Sequence, residues 1–541
     1  MLEELHTASS LLNTTLNGYV NMCSTALSIC LQEVAQNSVR VQGLLEQVKN
    51  QLELVNSYEE NLHRARASLR LALNSTPTVA PINAFPPEIM LRIFNFVVSV
   101  KPGVISVGGN RSTTANLPKQ PDILSHVCSR WRQIALSSPA LWSHIDLAHH
   151  HQFGPGLVAR AKEYAIRACH SPLDIHIVDP HSDYNTRPPT DIDDLDFLPP
   201  ATRIRSLELV AYKGFYDSHF VSLGHCFKNC TPGQLEQLTI WDADSGSRSR
   251  ALESNERPQQ HYSQQVDISE SHLEAIWAQI SILRLKGVYL PWTSKAYHNL
   301  VDLRLVSGST TDLPVSEIQI VEILRSSPRL RILHAHLEIK DPLPESSPVV
   351  PVSLDELEVL DVKTMWWDKL DRFIRWIKPG KKPLRLTIAS SPSRRVNRFL
   401  WRSNVTRLRL VSPNKYSLSD LLTLVPEIHE LVLDGYKPFK PGLIACGYGH
   451  LPPVNLRLQD LYILRSQIKN AELRELVERH SVLRVVIWDT EVRWDYRDYR
   501  VDYEVMLKLR KELPSCAVFT YRSDKSPYPL SGWDDLSALC C

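Results

Sequence analysis

The stretch LVDLRL, residues 300–305, decides how the larger part of this chain folds. Its leucines stand at Leu300, Leu303 and Leu305, an apolar-x-x-apolar-x-apolar unit. The last two are separated by one residue, the spacing that puts side chains on one face of a β-strand. Arg304, between them, then faces the other way, and Leu300 fills the turn into the strand. The unit recurs on both sides. Toward the N-terminus it reads Ile280/Leu283/Leu285, Leu235/Leu238/Ile240 and Ile204/Leu207/Leu209. Toward the C-terminus it reads Leu330/Leu333/Ala335 and Leu357/Leu360/Val362, then a weaker copy with Pro383 ahead of Leu386 and Ile388. Val405/Leu408/Leu410, Ile428/Leu431/Leu433, Leu458/Leu461/Ile463 and Val482/Val485/Ile487 complete the series. The middle residues of these eleven units are spaced 31, 45, 20, 30, 27, 26, 22, 23, 30 and 24. Self-similarity at such periods marks a stack of repeated supersecondary units sharing one continuous core.

Helical patterns lie between the strands. Glu317 to Leu324 sets Ile320, Val321 and Leu324 on one face and ends at Ser326-Ser327-Pro328. Asp420 to Leu424 ends at Val425-Pro426, and Glu472 to Val477 ends near His480. Ahead of the first clear unit, residues 157–169 read as a helix and 173–178 as a strand, either a further repeat or a separate pair of elements. Residues 180–200 read as a loop, and the polar gap from 241 to 280 as a mobile insertion. This strand-plus-helix unit resembles a leucine-rich repeat. The match is degenerate, because the Asn that closes many such repeats is mostly absent, and a doubly wound α/β domain is the competing arrangement. The resemblance implies a solenoid whose exposed strand face recognises another protein. The residues expected on that face are Trp241, Arg284, Arg304, His334, Asp361, Arg409, Tyr462 and Trp488. Trp, Tyr and Arg among them are the residue types that dominate binding hot spots. RWDYRDYRVDY, residues 493–503, is expected to cap the stack with a polar outside.

A second motif lies at residues 82–100, INAFPPEIMLRIFNFVVSV. Pro86 and Pro87 pre-set a helix start, where their missing N–H groups cost little. Glu88 sits in the first turn, where the helix dipole favours it. Ile89, Ile93, Phe94, Phe96 and Val97 load the helix with apolar surface nearly all round. After a polar loop, residues 101–120, comes PDILSHVCSRWRQIALSSPALWSHIDL, with Ile123, Leu124, Val127, Cys128, Trp131, Ile134 and Ala135 at helical spacing. The ordered set of Phe85-Pro86, an apolar helix, Val127-Cys128-x-x-Trp131 and Leu141-Trp142 resembles an F-box of the F-box-like family over residues 82–147. The loop from Lys101 to Gln120 is longer than a minimal F-box carries. The resemblance implies docking on the Skp-type adaptor of a cullin–RING (SCF-type) ubiquitin ligase, with Phe85, Pro86, Ile89, Ile93, Phe94, Val127, Cys128 and Trp131 as the adaptor-binding residues.

Residues 1–75 contain no Pro and only Gly18 and Gly43. From Val41 the apolar positions follow 4-3 spacing through Leu45, Val48, Leu52, Val55, Leu62, Leu69 and Leu73, with Glu59 and Arg66 at the two remaining seam positions. This is a coiled-coil-like heptad. Its narrow seam needs a partner helix: a second copy, another protein, or residues 1–35 folded back.

Composition narrows the function classes. The chain has 541 residues, with 61 Lys+Arg against 59 Asp+Glu. That balance argues against a nucleic-acid-binding surface as the main feature. Hydrophobic content of 43% and charged content of 22% are those of a globular protein. Ten cysteines without regular spacing point to a reducing compartment, cytoplasmic or nuclear. Glu3 and Glu4 stand where a signal peptide carries basic residues, and no run approaches a membrane span. No phosphate-binding loop or nucleophile elbow is present. His225-Cys226 with Cys230 lacks a second ligand pair, and His149–His151 reads as a polar loop, so no metal site is expected. Cys540-Cys541 has no upstream basic run to make it a lipidation tail.

The reading is a helical N-terminus (1–76) and F-box-like helices (82–147) followed by an α/β leucine-rich-repeat-like solenoid (148–541). The expected function is that of a non-enzymatic substrate receptor without cofactors, binding a Skp-type adaptor and a protein target. The alternative is a non-catalytic interaction scaffold without a ligase role.

Overall fold

The structure is a computed structural model. It describes residues 2–35, 41–75, 81–100, 106–107, 115–116, 120–149, 154–179, 198–199, 201–212, 214–243, 249–257, 263–307, 315–344, 348–365, 368–389, 393–413, 422–437, 458–494, 497–500 and 503–521. The loop expected at 180–200, apart from 198–199, the His150–His151 part of the expected polar loop, the helix start at Asp420 and the Cys540-Cys541 tail lie outside the described residues. The chain divides into two compact units, residues 1–93 with 125–134, and residues 94–124 with 135–541. The segment 82–147 thus contributes to both.

The first unit is helical. Helices α1 (Leu2–Ala35) and α2 (Val41–Ser75) are long and uninterrupted. Residues 1–35 fold back along α2: the Tyr19 hydroxyl donates to Gln51 Oε1 (2.9 Å), and Tyr19 meets Tyr58 edge-to-face at 6.4 Å. The cover is sparse, and Val48, Leu52, Val55, Leu62, Leu69 and Leu73 all remain exposed. Helix α3 (Pro87–Val100) begins at Pro87 as the Pro-Pro pair requires. Short helices α4 (Asp122–His126) and α5 (Ser129–Leu136) follow. In the 101–120 loop, which belongs to the second unit, Ser106–Val107 and Ala115–Asn116 pair antiparallel.

The second unit is α/β and is built on a 14-stranded sheet. Its strands are β1 (His144–Ala148), β2 (Leu173–Asp179), β3 (Ile204–Ala211), β4 (Gln237–Asp242), β5 (Ile282–Lys286), β6 (Asp302–Val306) and β7 (Ile332–His336). They continue as β8 (Val359–Val362), β9 (Leu384–Ile388), β10 (Val405–Val411), β11 (Glu430–Asp434), β12 (Asp460–Leu464), β13 (Arg484–Trp488) and β14 (Ala517–Tyr521). Every neighbouring pair is parallel, and strand order in space is strand order in the chain. A doubly wound arrangement, which reverses direction at a switch point, is thereby excluded. Parallel neighbours need crossovers. Helices α6 (Gly154–Ala168), α7 (Asp217–Asn229), α8 (Glu270–Trp277), α9 (Glu317–Ser326), α10 (Asp368–Ile374), α11 (Arg394–Arg402), α12 (Asn470–Arg479) and α13 (Tyr503–Glu512) lie in them.

The eleven repeated units are strands β3 to β13. Their last two apolar residues are all buried, from Leu207 and Leu209 to Val485 and Ile487. The first apolar residue is buried in ten of the units, from Ile204 to Val482. Pro383 is the exception and is exposed; Leu384 takes the buried place instead. The register slips there, Leu384 pairing Val405 and Arg385 pairing Arg407, so Thr406 is the extra residue of a bulge. The 241–280 gap differs from expectation. Arg250–Ser254 and Ser263–Val266 form a side sheet with Val288–Tyr289, and α8 follows, capped by Ser269 Oγ accepting from His272 N–H. Leu252, Val266 and Ile268 supply the buried side chains that hold this segment down. Arg493 of the expected cap pairs with Asp498 in an antiparallel hairpin. Among the described residues no helix is long and apolar enough to cross a membrane.

Candidate functional site

Two surfaces collect the residues singled out from the sequence. The first is the small helical module. Trp131, half-buried on α5, donates its indole N–H to Asn83 Oδ1 (3.0 Å), and Arg130 Nη2 donates to the Phe85 carbonyl (2.7 Å). These bonds hold the Pro81–Ala84 turn and the start of α3 against α5. Apolar side chains are among those left facing water there: Phe85 is 47% exposed and Val127 53%, with Ile82 and Ile89 also exposed. Pro86 is exposed, and Ile93 and Cys128 are half-buried. Phe94 differs from expectation: it is fully buried and has no surface to offer a partner. The exposed phenylalanine of α3 is Phe96, at 69%. An apolar helix tolerates either orientation in sequence terms, so the pattern alone does not separate the two.

The second surface is the sheet face opposite the leucine core. One side chain per strand lines up across it by register: Asp146, His176, Glu208, Thr239, Arg284, Arg304, His334, Asp361, Thr387, Arg409, Val432, Tyr462, Val486 and Phe519. The row is polar and charged through β10 and mostly apolar from β11 onward. It is not the solvated face expected. Arg304 is 1% exposed, and Trp241, His334, Asp361 and Arg409 are buried with it. At the roughly 4.8 Å spacing of paired strands, long side chains in one row close over each other. They also pair sideways. Asp302 accepts from Arg284 (2.7 Å) and Arg304 (2.8 Å), Asp361 from His336 (2.9 Å), and Asp434 from both Arg409 and Arg465 (2.6 Å each). Burial drives the His334 imidazole down to about 3, so it is neutral at pH 7. Of the eight residues expected on this face, Arg284, Tyr462 and Trp488 keep partial exposure. Phe519 and Tyr521 on β14 are exposed beside them in the register; the eleven-unit pattern stopped one strand short of both.

At the opposite edge, β1 and β2 carry a histidine–carboxylate cluster. His144 Nε2 lies 3.1 Å from Asp146 Oδ1, and His176 Nδ1 lies 3.3 Å from the same oxygen. Burial opposes ionisation of Asp146, but the hydrogen bonds from His144 and His176 outweigh it and hold the carboxyl down at about 2. Nothing in the repeat pattern pointed here, because β1 carries no recognised unit.

No protein-family model matches this chain, and no curated protein does.

His225 and Cys226 lie on α7, with Cys230 just after it, at a spacing that metal ligands can have. Burial pushes the Cys226 thiol up to about 12 and the Cys230 thiol up to about 11, the behaviour of packed thiols rather than thiolates. His149 turns its Nε2 to Ser222 Oγ at 3.1 Å and meets His219 edge-on at 4.8 Å.

Proposed function

We propose that this chain is the substrate receptor of a cullin–RING (SCF-type) ubiquitin ligase, built from an F-box-like module over residues 82–147 and a leucine-rich-repeat-like solenoid. The observation that carries the reading is the apolar set Phe85, Ile89 and Val127, held exposed on two segments tied by Trp131–Asn83 and Arg130–Phe85. A small helical module that leaves a phenylalanine, an isoleucine and a valine in water needs a protein to cover them, and a Skp-type adaptor is the partner the F-box-like motif implies. The strictly sequential parallel sheet, with its leucine units on one face, supports the solenoid. Target contact falls to Arg284, Tyr462 and Trp488, joined by Phe519 and Tyr521. The receptor performs no bond chemistry. It raises the effective concentration of target lysines near the charged ubiquitin-conjugating enzyme. The uncovered seam of α2 joins two copies of the assembly.

The test is co-expression of the full chain with a Skp-type adaptor, followed by co-purification and measurement of stoichiometry. The expected result is a complex with two copies of each chain, lost on deletion of 82–147. Phe85→Ala with Val127→Asp alters only exposed side chains and is expected to weaken capture at least tenfold with the fold intact. A folded chain that ignores the adaptor, or a double variant that captures it as well as the parent, overturns the reading and leaves a repeat-based scaffold.

A further inference from the structure

Three adjacent strands bring two imidazoles and two carboxylates to one face at the sheet's edge. His144 and Asp146 are two apart on β1 and share a face. His176 on β2 stands opposite Asp146, and Glu208 on β3 opposite His176. His144 Nε2, Asp146 Oδ1 and one ring nitrogen of His176 all lie within 4.8 Å of one another, the two imidazole–carboxylate separations being 3.1 and 3.3 Å. Four tetrahedral ligands about 2.0–2.1 Å from a zinc ion are about 3.3 Å apart. The two imidazole–carboxylate separations therefore already match the edge of such a tetrahedron. We propose that His144, Asp146 and His176 bind a divalent transition-metal ion of the zinc type.

Donor chemistry selects the ion. Two imidazole nitrogens and a carboxylate oxygen suit Zn2+ and its neighbours, whereas Mg2+ and Ca2+ prefer oxygen alone. The supporting residue is Glu208. With the metal on His176 Nδ1, the ring proton resides on Nε2, which faces Glu208 Oε1 at 4.0 Å. That oxygen is buried and accepts no hydrogen bond in the metal-free arrangement. A carboxylate receiving the second N–H of a ligating histidine fixes its tautomer and orientation. Asp146 is nearly closed off while His144 is 31% exposed, so the ion enters from the His144 side and keeps a fourth position for water. Binding ties edge strand β1 to β2 through side chains as well as through the backbone ladder. The site stands independently of the ubiquitin-ligase reading.

The experiment is calorimetric titration of the full chain, stripped of metal with EDTA, with ZnCl2 and separately with MgCl2. One saturable Zn2+ site per chain is expected, with no Mg2+ binding. His144→Gln with His176→Gln is expected to weaken it at least 100-fold, and Glu208→Gln about tenfold, in line with supporting-shell effects. Histidine acylation by diethylpyrocarbonate, mapped by mass spectrometry on the parent chain, locates the site without any variant. Saturating Zn2+ is expected to protect His144 and His176 and to leave exposed His126 unchanged. Absence of a saturable site, full Zn2+ binding by a folded double variant, or undiminished acylation of His144 under Zn2+ would each overturn the proposal.

Discussion

Glu317 shows what a single buried carboxylate does in this molecule. Its side chain is 1% exposed, and it accepts from Arg375 Nη2 (2.6 Å), the Trp376 indole N–H (2.5 Å) and the Leu343 backbone N–H (2.6 Å). These donors come from segments 26 to 59 residues away, so one side chain closes several crossovers onto α9. Glu317→Ala removes the acceptor from a nearly buried guanidinium, and breaking such a pair costs about 3–5 kcal/mol. Urea unfolding is expected to show the loss as a lower midpoint with an unchanged slope; a midpoint within error of the parent would contradict the role. Nothing in the sequence marks Glu317 out, since its partners are remote in the chain. Arg304 and Asp361 are marked out by their place in the repeat, but their burial is not. Alternation along a strand predicts which way a residue points, and it did so correctly. It does not predict that a row of like-facing residues closes over itself, because closure depends on the neighbouring strands.

At the scale of the element, local rules were readable wherever they were self-contained. The α9 boundary follows from a capping box. Ser316 Oγ accepts from Gln319 N–H (3.2 Å), and Gln319 Oε1 accepts from Ser316 N–H (3.0 Å). Ser316→Ala is expected to lower stability by about 1 kcal/mol, read as a drop in melting temperature; Ser316→Thr is expected to restore most of it. Periodicity located eleven strands, and a lone strand pattern pointed to β2. It missed β14, where Thr520 stands in register with the apolar Ile487, and it missed β1, although Trp142, Ile145 and Leu147 carry the same apolar unit and are buried. Pro383 was placed one residue early, since a bulge shifts the buried position to Leu384 and no hydrophobic count registers a bulge. The polar residues of 241–280 predict a mobile segment. Leu252, Val266 and Ile268 are few, but each is buried, and together they suffice to order a small side sheet.

For the whole molecule, the histidines His149 and His334 set an acid limit. Burial and the neighbouring His219 drive His149 down to about 4, and burial drives His334 down to about 3. Unfolded, both take up protons near 6.5. The unfolded chain therefore binds more protons between about pH 6.5 and 4, and stability falls with pH across that window. Each histidine contributes up to about 1.4 kcal/mol per pH unit below 6.5. Urea midpoints measured at pH 7.5, 6 and 5 are expected to decline steadily, and His149→Gln is expected to flatten the decline. A constant midpoint down to pH 5 would show that the imidazoles protonate without cost.

Strand order in the sheet repeats strand order in the chain without exception. During synthesis this has a temporal meaning. Each strand that leaves the ribosome finds the preceding one already in place and pairs with it at once. No strand must wait for a distant partner with its edge open to other chains, the exposure that makes long-range parallel pairing slow and prone to aggregation. The sheet grows from one end like a zip closing behind the ribosome, and the only edge that advances is the newest one.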